Sequence, residues 1–405
     1  MSRFFALLVC AASIGNIAWA EEWSAWRGPR GDGISLETDV PLTWSADDNI
    51  AWKSPLPGAG RSSPVVWGDR IFVTAGDASD LSRRVMCLDA NTGAIVWNVP
   101  VHHGEPGDMH KFNTMASSTP ATDGQRVYAA FVDDHGMSVS AVDLDGQVIW
   151  TVNPGTFHSQ HGFSASPILY RDGVIVNGQQ DGEAFVVMLD RCAGHELWRY
   201  KPATNLRSFS TPLIIQHEGR DQMILVGAKE TVGLDPATGQ KLWYAEGPSE
   251  KFVSTPAVGH GLVFSFGGSP DKKAMAVKLG GEGNVAETHV VWRNEKAMPY
   301  VPSPLLIGDY LHIVNDLGIY TCLDPVSGKT LKTGRKFGSV YSSPIAAAGR
   351  IYMFEDSGAC TVIKDSPDFE VLAKNELGDL VYTTPAVAPG RLFVRTEQSL
   401  VRIGR

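Results

Sequence analysis

The sequence predicts an all-β fold, an eight-bladed β-propeller of four-stranded antiparallel blades. Three observations support this prediction. At eight positions along the 405-residue chain a small hydroxyl residue directly precedes a repeat proline, successive repeat prolines lie 40 to 56 residues apart, and a β-rich segment follows each of them. A repeat with this period and strand content is typical of propellers, in which each repeat forms one blade. The prolines are Pro64, Pro120, Pro167, Pro212, Pro256, Pro304, Pro344 and Pro385.

Each repeat is expected to begin with the inner strand of a blade. The proline opens this strand, where its missing N–H does least harm to the hydrogen-bond ladder. In the first repeat, an apolar run and a turn at Gly68-Asp69 follow Pro64, and a second strand is predicted over residues 71–74. Runs of β-branched and aromatic residues separated by Gly, Asp and Asn turns indicate strands joined by hairpins.

The third and fourth strands flank a turn with a recurrent sequence. In the first repeat, the third strand ends at Leu88-Asp89, the turn ends at Gly93, and the fourth strand contains Trp97. The Asp can bond amides of its own turn, and the Gly can adopt a positive φ. The indole offers an apolar face to the neighbouring blade, and a backbone carbonyl there would accept its N–H. Tryptophans in the fourth strands are Trp52, Trp97, Trp150, Trp198, Trp243 and Trp292.

The two ends of the chain are expected to share the last blade. Only three strands fit after Pro385, and one further strand is predicted around residues 49–53, before the first repeat. This N-terminal strand would complete the eighth blade and remove free sheet edges. We therefore predict a propeller over residues 49–405, preceded by a Trp-rich extension over residues 21–48.

The first twenty residues are typical of a secretory signal peptide. Arg3 precedes an apolar run over residues 4–14, and Ala18-Trp19-Ala20 provides an A-x-A cleavage site. The residue before Cys10 is too large for a lipoprotein site. We expect cleavage after Ala20, a secreted or periplasmic protein, and no membrane span.

Charge and cysteine usage exclude several classes of partner. The formal net charge is −9 and no basic run interrupts it, so nucleic acid and anionic membrane surfaces are not expected partners.

Four cysteines follow the leader, with no C-x-x-C motif and no adjacent pair. We therefore expect buried free thiols, with a disulfide as the alternative. They are Cys87, Cys192, Cys322 and Cys360.

The repeat unit Ser-Ser-Pro … Leu-Asp-x-x-Thr-Gly-x-x-x-Trp resembles the pyrroloquinoline quinone (PQQ) type repeat. Residues 23–33 also resemble the opening of secreted bacterial PQQ-like propellers. Such repeats occur in quinoprotein dehydrogenases and in the bacterial outer-membrane-protein assembly lipoprotein. The resemblance covers residues 23–405 and implies a propeller that works outside the cytoplasm. It is specific for the fold and says little about activity.

Candidate ligand-binding residues cluster on one predicted face. The blade-to-blade loops and the loops between second and third strands share the face where the central channel opens. Five of the eleven histidines fall in two adjacent blade-to-blade loops, residues 102–113 and 157–163. A bound metal would use His110, His158 and His161, but the spacing matches no established motif, so no metal site is predicted. Asn113 belongs to the same cluster.

Five other candidates precede repeat prolines on the same face: Arg207, Lys251, Tyr300, Tyr341 and Tyr382. The two cations suit an anion, and the tyrosines suit a ring or a sugar, although packing explains the tyrosines equally well. The second-strand loops add carboxylates that we interpret as a solvated acidic rim. They are Asp133, Asp134, Asp181, Asp271, Asp316, Asp356 and Glu397.

Three functions remain open at the level of sequence. We favour a monomeric, non-catalytic extracytoplasmic scaffold or ligand-binding module whose partner is an envelope protein or a glycan. The hydroxyls before the prolines recur eight times, unlike a catalytic nucleophile, and no catalytic residue is assigned. The resemblance implies the first alternative, a dehydrogenase of alcohols or sugars that uses PQQ with Ca²⁺. Against it, the chain is short, has no adjacent cysteines, and has no insertion expected to cover the site. The second alternative is a carbohydrate-binding or carbohydrate-modifying propeller.

Overall fold

The computed structural model describes residues 21–296 and 298–405, so the predicted signal peptide lies outside the described residues. Eight blades, each built on four antiparallel strands, form a ring, and most neighbouring strands within a blade are consecutive in sequence. The prediction of an eight-bladed all-β propeller is therefore confirmed.

The strands follow the repeats along the chain. The first strand is β1 (Ile50–Pro55), and blade 1 contains β2 (Val65–Trp67), β3 (Arg70–Asp77), β4 (Ser82–Asp89) and β5 (Ile95–His103). Blade 2 contains β6 (Ala121–Thr122), β7 (Arg126–Asp133), β8 (Gly136–Asp143) and β9 (Val148–Gly155). Blade 3 contains β10 (Ile168–Tyr170), β11 (Gly173–Gly178), β12 (Phe185–Asp190) and β13 (Glu196–Tyr200). Blade 4 contains β14 (Leu213–His217), β15 (Arg220–Gly227), β16 (Glu230–Leu234) and β17 (Lys241–Glu246).

The second half of the ring has the same plan. Blade 5 contains β18 (Ala257–Gly259), β19 (Leu262–Gly267), β20 (Lys273–Lys278) and β22 (Val290–Asn294). The segment between β20 and β22 carries β21 (Gly283–Asn284), which joins blade 4, and the short helix α1 (Ala286–His289). Blade 6 contains β23 (Leu305–Ile307), β24 (Tyr310–Val314), β25 (Ile319–Leu323) and β26 (Thr330–Lys336). Blade 7 contains β27 (Ile345–Ala347), β28 (Arg350–Phe354), β29 (Ala359–Lys364) and β30 (Val371–Glu376). Blade 8 contains β31 (Ala386–Ala388), β32 (Arg391–Arg395) and β33 (Ser399–Gly404).

The N-terminal strand closes the ring as predicted. β1 pairs antiparallel with β33, with Lys53 opposite Val401 and Ser54 opposite Leu400. The eighth blade thereby has four strands, one of them from the opposite end of the chain. Blade 4 differs from the others because β21 adds a fifth, parallel strand to its outer edge, with Gly283 opposite Trp243.

Contacts between a tryptophan and a turn glycine link neighbouring blades. The Trp97 indole N–H donates to the carbonyl of Leu144 in blade 2 at 2.9 Å. Gly146 adopts a positive φ beside this ring, and a Cβ there would lie 2.9 Å from the ring carbon Cγ of Trp97, so a larger residue would clash. Equivalent indole-to-carbonyl bonds join Trp52 to Ala90, Trp150 to Arg191, Trp198 to Pro236 and Trp292 to Pro325.

Trp243 breaks this pattern. Its N–H donates to Gln222 Oε1 within its own blade at 3.0 Å, and its ring packs with Leu279 and Val285. The reason lies in blade 5, where the Leu-Asp…Gly turn is replaced by the longer segment that carries β21 and α1. Each blade interface therefore depends on the turn supplied by the following repeat.

The hydroxyl residues before the prolines form a ring of hydrogen bonds around the channel. Each of seven such hydroxyls accepts the backbone N–H of the equivalent residue in the preceding blade, over 2.9–3.1 Å. The eighth, on Thr255, accepts the indole N–H of Trp26 at 3.0 Å. These amides are buried and would otherwise lack partners, so the repeated hydroxyl has a structural explanation. The seven donor–acceptor pairs are Ser63–Thr119, Thr119–Ser166, Ser166–Thr211, Thr255–Ser303, Ser303–Ser343, Ser343–Thr384 and Thr384–Ser63.

The extension over residues 21–48 lies across the end of the channel opposite the mouth. Its backbone accepts amide hydrogens from Val66 in blade 1, Thr122 in blade 2 and Gly390 in blade 8. The buried guanidinium of Arg27 donates to the carbonyl of Pro304 at 2.6 Å. Trp26 enters the channel as far as the hydroxyl ring, so the channel has a floor at this end.

The free thiols are distributed around the ring. Cys87, Cys322 and Cys360 are buried and Cys192 is exposed, and all four are unpaired. Burial raises the pKa of the Cys87 thiol to about 12, so it stays protonated at neutral pH.

Replacing Thr119 with valine tests the hydroxyl ring. Thr119→Val keeps the side-chain shape but leaves the buried N–H of Ser63 without its acceptor. We expect the free energy of unfolding to fall by about 1–3 kcal/mol, measured by urea denaturation. The matched control is Thr333→Val, on the exposed outer strand β26, which should change stability by less than about 0.5 kcal/mol. Equal effects of the two substitutions would contradict a specific role for the ring.

Candidate ligand site at the channel mouth

A cavity of about 440 Å³ occupies the channel mouth, and two repeat positions build most of it. The residue directly before the proline supplies the hydroxyl ring, with Trp26 at the floor. The residue three positions before the proline forms the wall, and all eight blades contribute one. These wall residues are Arg61, Ser117, Ser164, Phe209, Val253, Val301, Tyr341 and Tyr382.

The structure brings together most of the predicted ligand-binding residues. His110, Asn113, His161, Tyr300, Tyr341 and Tyr382 all line this cavity. Arg207 and Lys251 are not among the lining residues. Arg207 is buried and pairs with Asp181, and both cations influence the pKa of His161. His158 is separate, because it lines a neighbouring cavity instead.

The loop between blades 1 and 2 extends over the mouth. Phe112 contacts Tyr341 of blade 7 and Tyr382 of blade 8, with ring centroids 5.1 Å and 6.3 Å apart. On the other side, His110 stacks on His161 at 5.7 Å with an interplanar angle of 11°. The sequence has no insertion that was expected to cover the site, yet this blade-to-blade loop, over residues 104–120, extends across the mouth. It does so because His110 and Phe112 contact opposite walls.

Arg61 is the wall residue with the most unused hydrogen-bonding capacity. Its guanidinium carbon lies 4.0 Å from the ring centroid of Tyr382, and its Nη2 is 3.3 Å from Glu397 Oε1. Its Nε and Nη1 are buried and have no hydrogen-bond partner among the described residues. Sequence reasoning missed Arg61. It occupies the same repeat position as Tyr341 and Tyr382, so aligning the eight repeats would have found it.

The surroundings of His161 disfavour its protonated form. The pKa of His161 is lowered by burial and then by Arg207, His110 and Lys251, which together outweigh Asp181. A lowered pKa means that His161 is neutral at neutral pH. Its Nδ1 is buried without a partner.

The expected acidic rim is solvated only in part: Asp134, Asp181, Asp271 and Glu397 are exposed, whereas Asp316 and Asp356 are engaged with loop amides. Asp316 accepts the backbone N–H groups of Tyr300 and Val301 at 2.9 and 3.0 Å and pairs with Lys272 at 2.8 Å. Asp356 likewise accepts the N–H of Tyr341, and burial raises the pKa of its carboxyl group. These carboxylates hold the loops that carry the wall residues. They are therefore already engaged within the fold.

A second cavity of about 400 Å³ lies between the loops that follow blades 1 and 2. Its lining includes His158, Asp108 and the buried Arg83. Asp133 is almost fully buried there, with its Oδ2 2.5 Å from His102 Nε2. Burial opposes ionisation of Asp133, but the contact with His102 and the amides of His135 and Gly136 lower the pKa of this carboxyl group overall.

The side chains at the mouth can be compared with the ligands required by the cofactor that the resemblance implies, PQQ with Ca²⁺. Calcium takes six to eight oxygen ligands, usually including several carboxylates. Over residues 21–296 and 298–405, no three His, Cys, Asp or Glu side chains converge as a metal site. The carboxylate that lines the cavity, Asp316, is already bonded to two amides and Lys272. The residues present therefore do not fit a calcium-dependent quinone, and we derive no step through one.

Comparison with known proteins identifies the family. A family model described as outer membrane protein assembly factor BamB matches residues 37–207 and 161–334, more than half of the chain. The chain belongs to this PQQ-like β-propeller family. BamB from Moraxella catarrhalis has a similar fold, with a TM-score of 0.62, 15% identity, and coverage of 87% of this chain and 96% of that one.

Dehydrogenases share the same repeats. The chain is 25% identical to polyvinylalcohol dehydrogenase from a Pseudomonas species over 208 residues, and 24% identical to quinoprotein ethanol dehydrogenase from Pseudomonas putida over 204 residues. These matches cover 45% and 47% of this chain but only 29% and 30% of those relatives. Quinohemoprotein alcohol dehydrogenase from Comamonas testosteroni has a TM-score of 0.63 at 11% identity, over 94% of this chain and 80% of that one. At this identity the likeness shows the fold alone.

Asp133→Asn gives a pH-dependent test of the contacts around the second cavity. The pKa of Asp133 is lower in the folded state than its ordinary value of about 3.9. Its ionised form therefore stabilises the fold above that value, and the stabilisation is lost as the pH falls through the folded-state pKa. We expect Asp133→Asn to lower the melting temperature near pH 7, with the difference from the parent shrinking as the pH falls through the folded-state pKa of Asp133. A difference that is constant with pH would show that the charge of Asp133 does not contribute.

Proposed function

We propose that this chain is an extracytoplasmic, non-catalytic propeller that binds a partner or ligand through its channel mouth. The observation that supports this proposal is that polar groups at the mouth already accept hydrogen bonds from the protein's own backbone. The hydroxyls accept amides of neighbouring blades, and the carboxylates Asp316 and Asp356 accept loop amides. General acid–base catalysis needs a pair of titratable groups within reach of a substrate, and these groups are engaged in holding the wall.

The family and the leader sequence support the location. Residues 1–20 have the composition of a secretory signal, and the matching family model is described as an outer membrane assembly factor. None of the described helices is long and apolar enough to cross a membrane. We infer a secreted or periplasmic protein that works as a monomer. Its partner would be an envelope protein or a glycan chain.

The alternative function is that of a quinoprotein dehydrogenase, which the names of the two Pseudomonas relatives suggest. Those relatives are more than three times longer than the matched region, so their activity does not transfer with the repeats. Calorimetric titration of the purified protein with PQQ, with and without Ca²⁺, separates the two functions. We expect no saturable heat and no PQQ-dependent oxidation of alcohols or sugars. One-site binding that requires Ca²⁺, together with oxidation, would replace our proposal with the dehydrogenase.

Site-specific photo-crosslinking tests the binding face. A photoreactive amino acid at Phe112, at the mouth, should yield a discrete adduct in envelope extract. The control places the same amino acid at Val96, which is exposed on the fourth strand of blade 1, away from the mouth. We expect an adduct from position 112 that is absent from position 96. Adducts of equal yield at both positions, or none at position 112, would contradict the proposed face.

A further inference from the structure

We propose that the channel mouth binds the terminal uronic acid of an acidic glycan. This inference rests on the proposed function and names the ligand class of the same site. The wall of the cavity divides into two arcs of different chemistry. Blades 1 to 3 contribute polar residues and blades 4 to 8 contribute apolar and aromatic ones. The polar arc is Arg61, Ser117 and Ser164, and the other arc is Phe209, Val253, Val301, Tyr341 and Tyr382.

The carboxylate of the ligand is assigned to Arg61. This side chain lines the cavity, and Glu397 accepts from its Nη2. Its Nε and Nη1 are unpartnered but covered, so the guanidinium has to turn towards the cavity to present them to a carboxylate. Buried N–H donors without an acceptor are costly, and a carboxylate is the acceptor that matches a guanidinium best. Lys272, the other lining cation, is already neutralised by Asp316 at 2.8 Å. Arg61 is therefore the cation at the mouth with donors to spare.

The ring of Ser and Thr hydroxyls above Trp26 can donate hydrogen bonds to the oxygen atoms of a sugar. The ring oxygens accept backbone amides, as in the bonds to Thr119 and Ser166, which leaves each O–H proton for another acceptor. Six of these residues line the cavity: Ser63, Thr119, Ser166, Thr211, Ser303 and Ser343. Donors spread around the whole circumference suit a ligand that carries acceptor oxygens in several directions. A polyhydroxylated ring has this property, whereas a simple carboxylate does not.

The flat C–H face of a pyranose ring matches the aromatic arc. Aromatic rings carry negative charge on their faces and attract weakly positive C–H groups. Phe112 is 37% exposed, and together with Tyr341 and Tyr382 it forms an aromatic wall across the cavity. Arg61 lies against Tyr382, so the cation and the aromatic surface adjoin. A uronic acid carries a carboxylate beside such a C–H face.

The closed floor requires the end of a glycan chain. Trp26 fills the channel at the level of the hydroxyl ring, and the extension behind it bonds to blades on several sides. A continuous polysaccharide has no exit through this floor, so only a terminal residue can enter. The cavity of about 440 Å³ lies within the usual range for small-ligand pockets, about 300–1,000 Å³.

The test is calorimetric titration of the purified protein with trimers of galacturonate, glucuronate and mannuronate. Their carboxyl methyl esters serve as neutral controls of the same shape. We expect saturable one-site binding of at least one uronate trimer, and at least about tenfold weaker binding of its ester. Arg61→Gln should lose about tenfold in affinity for the acid and little for the ester. Phe112→Ala should weaken both.

Arg171→Gln is the matched control variant, because Arg171 is exposed on an inner turn of blade 3 at the opposite face. It should bind as the parent does. Melting temperatures show whether Arg61→Gln is folded, and the exposed Phe112 supplies a second variant that is not needed for the core. The inference is overturned if no uronate trimer binds, if the esters bind equally well, or if Arg61→Gln and Arg171→Gln behave alike. In those cases a retained crosslink from position 112 would leave the proposed function standing, and its loss would remove both.

Discussion

The hydrogen bond from a backbone amide of one blade to the hydroxyl of the next is the interaction on which the rest of this molecule depends. Repeated around the channel, it fixes the distance between inner strands and supplies partners for amides that water cannot reach. Each bond contributes only about 1 kcal/mol net, but leaving one unmade costs more because the donor stays buried. Its effect is to make the eight blades share a single inner surface.

A ligand-sized cavity follows from this constraint and from two non-repeating segments. The ring positions the residue three before each proline, so the wall has one side chain from each blade. Residues 21–48 close one end, and the loop that carries His110 and Phe112 extends over the other. The scaffold is thus generic, and the identity of the wall residues distinguishes this mouth from that of another propeller.

The sequence was sufficient to predict the blades because the repeat encodes its own contacts. The pairing of a tryptophan with the glycine of the next turn can be recognised from spacing alone, as for Trp97 and Gly146. Where blade 5 lacks that turn, the Trp243 indole bonds within its own blade instead. The site was less accessible to sequence reasoning. The reach of Phe112 to blades 7 and 8 joins parts of the chain more than 200 residues apart, and no local pattern reports it.

Closure of the eighth blade has a consequence for the order of events during synthesis. β1 leaves the ribosome first, yet its partner β33 is made last, with all seven other blades between them. The ring therefore cannot close before β33 has been translated, and until then blade 8 lacks the partner of its outermost strand. The last contact to form joins the two strands that are made furthest apart in time.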